Sequence, residues 1–262
     1  MWLQLMDWIV YIFAFLFGLV IGSFLNVVIF RLPKGESLSA KRSHCMSCGY
    51  QLRWFDLIPL FSWLALRGHC RKCHEKISVQ YPLIEAANAI LYVAIFAVRG
   101  IAIESIVYCF TASALLALSV IDFRTYIIPI GFNIFILVLA ALRLCYRIFV
   151  EGDAVSTVVP YLIGMLAVSV PLGILWFLSK GRAIGGGDVK LMGAAGLLLG
   201  WKGIIAAFVI GCIVGSVVHL CRMRLANAPR RLAMGPYLAV GIITVILVGE
   251  QLIGWYTELL GF

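Results

Sequence analysis

Seven stretches of this chain are apolar for long enough, or nearly long enough, to cross a hydrocarbon core of about 30 Å. They fall at roughly 8–30, 82–98, 103–121, 128–149, 157–178, 202–221 and 235–256. The first has no small-residue cleavage site behind it and reads as a retained helix rather than a removed signal peptide. Of the 262 residues 63% are hydrophobic and 13% charged, and the mean hydropathy is +1.04, which excludes a water-soluble domain. The expected fold class is an all-α polytopic membrane protein.

An eighth candidate span, "VKLMGAAGLLLGW" from Val189 to Trp201, is too short and glycine-rich for hydropathy to decide. Charge decides it. The polar loop from Arg31 to Tyr81 carries nine Lys and Arg against three acids, which marks it as cytoplasmic and places the N-terminus outside. Threading onward puts Arg124, Lys180 and Arg182 inside and Glu151 and Asp153 outside. Arg222, Arg224, Arg230 and Arg231 return inside only if 189–201 crosses. The expectation is therefore about eight transmembrane helices with one cytoplasmic insert between helices 1 and 2. The boundaries are 1–30 for the first helix, 31–81 for the insert and 82–262 for the remaining membrane core.

The insert holds "CMSC" and "CRKC", two C-x2-C pairs whose four thiolates, Cys45, Cys48, Cys70 and Cys73, can complete a tetrahedron around zinc. Disulfides are disfavoured on the reducing side of a membrane. His44, His69 and His74 flank the cysteines, but four sulfurs already close the site. A closed site has no open position for water, so the metal is structural. The basic charge of the insert could suit nucleic acid, but between two spans it marks orientation and contact with anionic lipid. No nucleic-acid partner is expected.

Acids are scarce enough to weigh singly. Asp7, Glu104, Glu151, Asp153, Glu250 and Glu258 fall at ends assigned to the outside, and Glu85 lies early in the second span. Asp122 ends the third span in "LSVIDFRTYIIP", and Asp188 follows three glycines in "AIGGGDVKLM". Alone, Asp188 reads equally well as a helix N-cap and Asp122 as a juxtamembrane charge. Together they put two carboxylates at one depth, where ionisable groups are costly and usually functional. Such a pair shares a proton: one member can take a proton from water while the other polarises a carbonyl. Glycines 185–187 would let a backbone approach closely.

These residues stand in an ordered set of motifs: "GSFLNVVIFRLP" (22–33), the two CxxC knuckles, "FDLIPLFSWLALRGHCRKC" (55–73), "YPLIE" (81–85), "IDFRTYIIP" (121–129), "GGGDVKL" (185–191) and "MGPYLAVG" (234–241). The set closely resembles the bacterial type IV prepilin leader peptidases over nearly the whole chain. The resemblance implies a multi-pass inner-membrane aspartic peptidase with Asp122 and Asp188 as catalytic residues. Its substrates would be prepilins or type II secretion pseudopilins, cleaved of a short basic leader at the cytoplasmic face. Members with the cysteine insert commonly also N-methylate the new N-terminus with S-adenosylmethionine. Two positions depart from the pattern: Ile130 stands where an acid or amide is frequent, and Ala89 where many bifunctional members carry glycine. An ion-coupled transporter using the aspartates as a proton relay is the alternative from another class. A zinc-dependent adaptor is a third, although eight spans exceed what an anchor requires.

Overall fold

A computed structural model describes residues 2–39, 43–152, 154–226 and 232–259; Asp153, Arg230 and Arg231 lie outside the described residues. It divides into two compact units, residues 1–105 and 106–262. The helices are α1 (Trp2–Arg31), the short α2 (Phe61–Ala65), α3 (Gln80–Arg99), α4 (Ile103–Thr125), α5 (Ile130–Phe149), α6 (Val159–Ala167), α7 (Ser169–Leu178), α8 (Gly186–Ala226) and α9 (Gly235–Leu259). Extended pairing among the described residues is limited to two isolated bridges, His44 with Gln51 and His69 with Lys76.

In the first unit α1 and α3 pack antiparallel through small residues. A Cβ on Gly18 would lie 2.7 Å from Cα of Ala89, and one on Gly22 would lie 2.7 Å from Cα of Glu85. This is the small-xxx-small crossing that lets membrane helices approach without bulky side chains between them. Asn88 donates to the Gly18 carbonyl at 2.8 Å and Asn26 to that of Tyr81 at 3.2 Å.

In the second unit, α4 is the most enclosed helix, with Ala112, Leu115, Ala117 and Leu118 fully buried. α5 begins after Pro129, whose fixed φ of −61° sets the entry into the helix. The eighth candidate span is resolved by α8. Seven helices among the described residues are long and apolar enough to cross a membrane, and the 40-residue stretch Gly186–Leu225 counts as one of them. That stretch is interrupted at Gly200, where φ is 74° and ψ is 174°. Only glycine adopts this conformation readily.

The contacts on either side show that the chain reverses there. Before the break, Gly193 faces Ser169 and Gly173 faces Val189, antiparallel to α6 and α7. After it, Gly203 faces Val245, Gly211 faces Leu238 and Gly215 faces Tyr237, antiparallel to α9. Ile128 touches both Gly187 and Gly235, so α8 and α9 start at one level. α8 thus leaves that level and returns to it. The first arm, Gly186–Leu199, rises only about 21 Å, short of a full bilayer core. Its blunt end, where carbonyls lose their helical partners, is met by Arg143 of α5. The Arg143 guanidinium donates to the Leu198 carbonyl at 2.9 Å, is buried, and lies 5.4 and 5.3 Å from the ring centroids of Tyr108 and Tyr161.

Candidate functional site

Asp122 occupies the last turn of α4 and is only 5% exposed. Just after it, Tyr126 takes a left-handed φ of 56° and donates its N–H to the Asp122 carbonyl at 2.8 Å, ending the helix. The chain then runs to Pro129, laying Ile128 between two glycines: a Cβ on Gly187 would lie 2.9 Å from Ile128 Cβ, and one on Gly235 would lie 3.2 Å from its Cδ1. Gly235 donates its backbone N–H to Oδ2 of Asp122 at 2.9 Å.

Asp188 is the third residue of α8 and 9% exposed. Its Oδ2 folds back over Gly185, 2.8 Å from where a Cβ would stand, while Oδ1 is buried with no hydrogen-bond partner among the described residues. The two carboxylates lie near enough to interact electrostatically. The fold therefore brings together two aspartates 66 positions apart, the first fixed by a main-chain donor and the second carrying a free oxygen. Such an arrangement can divide acid and base roles between like groups.

The glycines have a second use besides the one expected of them. Gly186 faces Trp176, Gly187 faces Ile128 and Gly185 faces Asp188 itself, so this chain's own side chains take the space they leave. Asn133 of α5 donates to the Gly187 carbonyl at 3.3 Å, tying the first turn of α8 to α5. The Gly235 donor lay in the "MGPYLAVG" motif without a role attached to it. Arg143 is a cation well inside a span, as strong a sequence signal as the scarce acids.

In the insert, each CxxC sits in the same knuckle. The Cys45 N–H donates to the Tyr50 carbonyl at 2.9 Å and that of Gly49 to Cys45 at 3.0 Å; Cys70 donates to Glu75 at 2.8 Å and His74 to Cys70 at 3.0 Å. Gly49 and His74 hold equivalent left-handed positions, with φ of 68° and 56°. Outer bonds from Leu52 to Ser43 and from Ile77 to Gly68 complete the match. The four sulfurs of Cys45, Cys48, Cys70 and Cys73 lie within 4.8 Å of one another. Cys45 and Cys73 are 3.8 Å apart, which matches the edge of about 3.8 Å that a tetrahedron with metal–sulfur bonds of about 2.3 Å requires. The group could hold a metal, and no histidine joins it among the described residues.

Beside the knuckles, Asp56 accepts from Arg71 Nε at 2.8 Å, from the Arg53 N–H at 3.2 Å and from the Tyr50 hydroxyl at 3.4 Å. Burial alone would raise its carboxyl, but these donors and the Arg71 charge outweigh it and hold Asp56 below the ordinary carboxylate value. Glu85 of α3 is buried and accepts the Leu60 N–H at 2.7 Å. Ala89, the departure from the family pattern, is fully buried in the α1–α3 crossing.

Comparison with known proteins places these features in one family. The Bacterial Peptidase A24 N-terminal domain matches residues 16–99, and the Type IV leader peptidase family matches residues 109–220. Proteins named prepilin leader peptidase/N-methyltransferase are similar to the chain. The one from Pseudomonas putida is 30% identical over 95% of this chain and 94% of its own length. The one from Aeromonas hydrophila is 31% identical over 96% and 95%. The one from Myxococcus xanthus (strain DK1622) is 34% identical, covering 80% of this chain, which spans 62% of that relative's length. No solved structure matches. The chain is a multi-pass membrane protein of the type IV leader peptidase family.

Proposed function

We propose that this protein is an inner-membrane aspartic endopeptidase that removes the short leader from type IV prepilins or type II secretion pseudopilins at the cytoplasmic face. The observation that carries the reading is the buried pair Asp122 and Asp188, in a chain whose relatives are named for this reaction. Two like carboxylates in a desolvated site hold one proton between them. The ionised member takes a proton from the attacking water, the protonated one donates to the scissile carbonyl, and the roles reverse as the amine leaves. Asp188 Oδ1, with no hydrogen-bond partner among the described residues, is the oxygen left to meet water.

In this reading residue 31–81 insert folds around zinc held by Cys45, Cys48, Cys70 and Cys73, and residues 82–262 carry the peptidase core. The protein also N-methylates the new N-terminus, with S-adenosylmethionine supplying the methyl group. The alanine at position 89 is compatible with this, since it faces Gly18 in a helix crossing. A proton-relay transporter would need titratable groups continuing from Asp188 along the first arm of α8, yet Leu191, Met192, Ala194, Ala195 and Leu198 are what that arm buries.

Purified protein in detergent, incubated with a prepilin and S-adenosylmethionine, should yield a product that mass spectrometry shows shortened by the leader and heavier by one methyl group. An uncut substrate contradicts the peptidase reading, and a cut but unmethylated one confines the protein to cleavage. Elemental analysis should return one zinc per chain, reduced in a Cys45→Ser variant.

A further inference from the structure

Between the knuckles the chain reads "WFDLIPLFSWLALRG", residues 54–68, and Trp54, Leu57, Ile58, Phe61 and Leu64 leave their large apolar side chains exposed. The segment is nevertheless held at both ends. Asp56 is paired with Arg71 of the second knuckle, and Trp63 donates Nε1 to the Ile77 carbonyl at 3.3 Å while its ring covers Gly68. On the other side, the Leu60 N–H is bonded to Glu85 at 2.7 Å. There the backbone makes a tight three-residue turn: Leu60 has φ 62° and ψ −51°, and Phe61 N–H donates to the Pro59 carbonyl at 2.6 Å. This rare and strained turn persists because its surroundings fix it.

Glu85 sets the depth of that turn. It lies in the second turn of α3, opposite Gly22 of α1, and α1 continues a further nine residues to Arg31. Since the 20 residues of α3 match the thickness of a bilayer core, Glu85 and the Leu60 bonded to it sit about 7 Å inside its edge. Backbone at that depth must find internal partners. Here Glu85 receives Leu60, and Ser62, Leu64 and Leu66 donate back to Ile58, Leu60 and Ser62.

We propose that residues 57–64 dip into the bilayer leaflet on the insert's side, with Leu57, Ile58, Phe61 and Leu64 among the lipid acyl chains. The occupant of this surface is lipid because the segment is bonded through Leu60 to Glu85 of α3, a spanning helix that itself exposes the large apolar side chains of Leu83 and Ile90. The segment is also bracketed by exposed Arg53 and Arg67, whose charges suit the headgroups. The metal-binding insert is thereby fixed to the membrane surface instead of swinging on its two tethers. This inference does not depend on the reaction catalysed.

A spin label carried on a keto-bearing phenylalanine analogue leaves the cysteines untouched, and can replace Phe61, Leu64, Ile90 and Met46 in turn in the full chain in phosphatidylethanolamine–phosphatidylglycerol vesicles. Metal content equal to the parent's certifies the insert in each variant. Labels at Phe61 and Leu64 should favour collision with oxygen over a water-soluble nickel chelate to the same degree as Ile90, and at least about fivefold more than the exposed Met46. A Phe61 label that behaves like Met46 overturns the proposal by placing the segment in water. Low collision with both reagents also overturns it, by showing that protein, such as a second copy, covers the surface.

Discussion

The Gly235 backbone N–H meets Oδ2 of Asp122 at 2.9 Å across 113 positions of sequence, so the start of α9 orients one member of the aspartate pair. A side chain at Gly235 has no room: its Cβ would stand 2.7 Å from that same oxygen. Gly235→Ala is expected to turn the carboxylate and lower kcat by roughly 10- to 100-fold, the cost of a displacement on the order of 1 Å at reacting groups. Steady-state cleavage kinetics on the folded variant check this, and a rate equal to the parent's contradicts it.

Arg143 caps the blunt end of the first arm of α8 from within the second unit. Arg143→Ala leaves the Leu198 carbonyl without its charged donor in a buried setting, which should cost roughly 2–3 kcal/mol. Thermal unfolding in detergent should show the loss. Arg143→Lys, which keeps the charge but not the planar fork between Tyr108 and Tyr161, should recover only part of it.

Asp56 links the aromatic segment to the second knuckle, and its carboxyl is held below the ordinary value. A group whose folded pKa is depressed adds stability that is complete above its unfolded value, about 3.9, and disappears as pH falls through the folded one. Wild type should therefore exceed Asp56→Asn in stability by a constant margin above about pH 5, roughly 1 kcal/mol because Arg71 is partly exposed. The margin should shrink on acidification below about pH 4. Comparing the two proteins at each pH cancels the protonation of the four cysteine thiols, and a margin that grows in acid contradicts the assignment.

Much of this was legible in the sequence, and for identifiable reasons. Long apolar runs have few alternatives to helix in a bilayer, and the CxxC spacing is local, so the knuckles were readable without tertiary information. The reversal at Gly200 was not, because a single glycine with positive φ leaves no trace in hydropathy. Only the balance of charge around 189–201 pointed to an extra crossing. Asp122 and Asp188 could be paired by depth, but the Gly235 donor depends on how α9 returns to α4. Arg143 was readable as a cation inside a span; its partner, a carbonyl at a helix break, was not. The dip at Leu60 rests on the bond to Glu85, which joins residues 25 positions apart.

The central claim is that Asp122 and Asp188 act as one unit, and the direct measurement is the cleavage rate of Asp122→Asn, Asp188→Asn and the double variant on one prepilin, each shown to be inserted and folded. An amide keeps the shape of the carboxyl but can neither accept the water's proton nor share one. Each single variant should lose at least about 1,000-fold in kcat, and the double variant should be little worse than either, as expected for groups that work together. A brief treatment with a metal chelator should leave the rate largely unchanged, because a metal held by all four sulfurs would have no water to activate. Strong cleavage by either single variant, or defects that multiply in the double one, would contradict the paired mechanism.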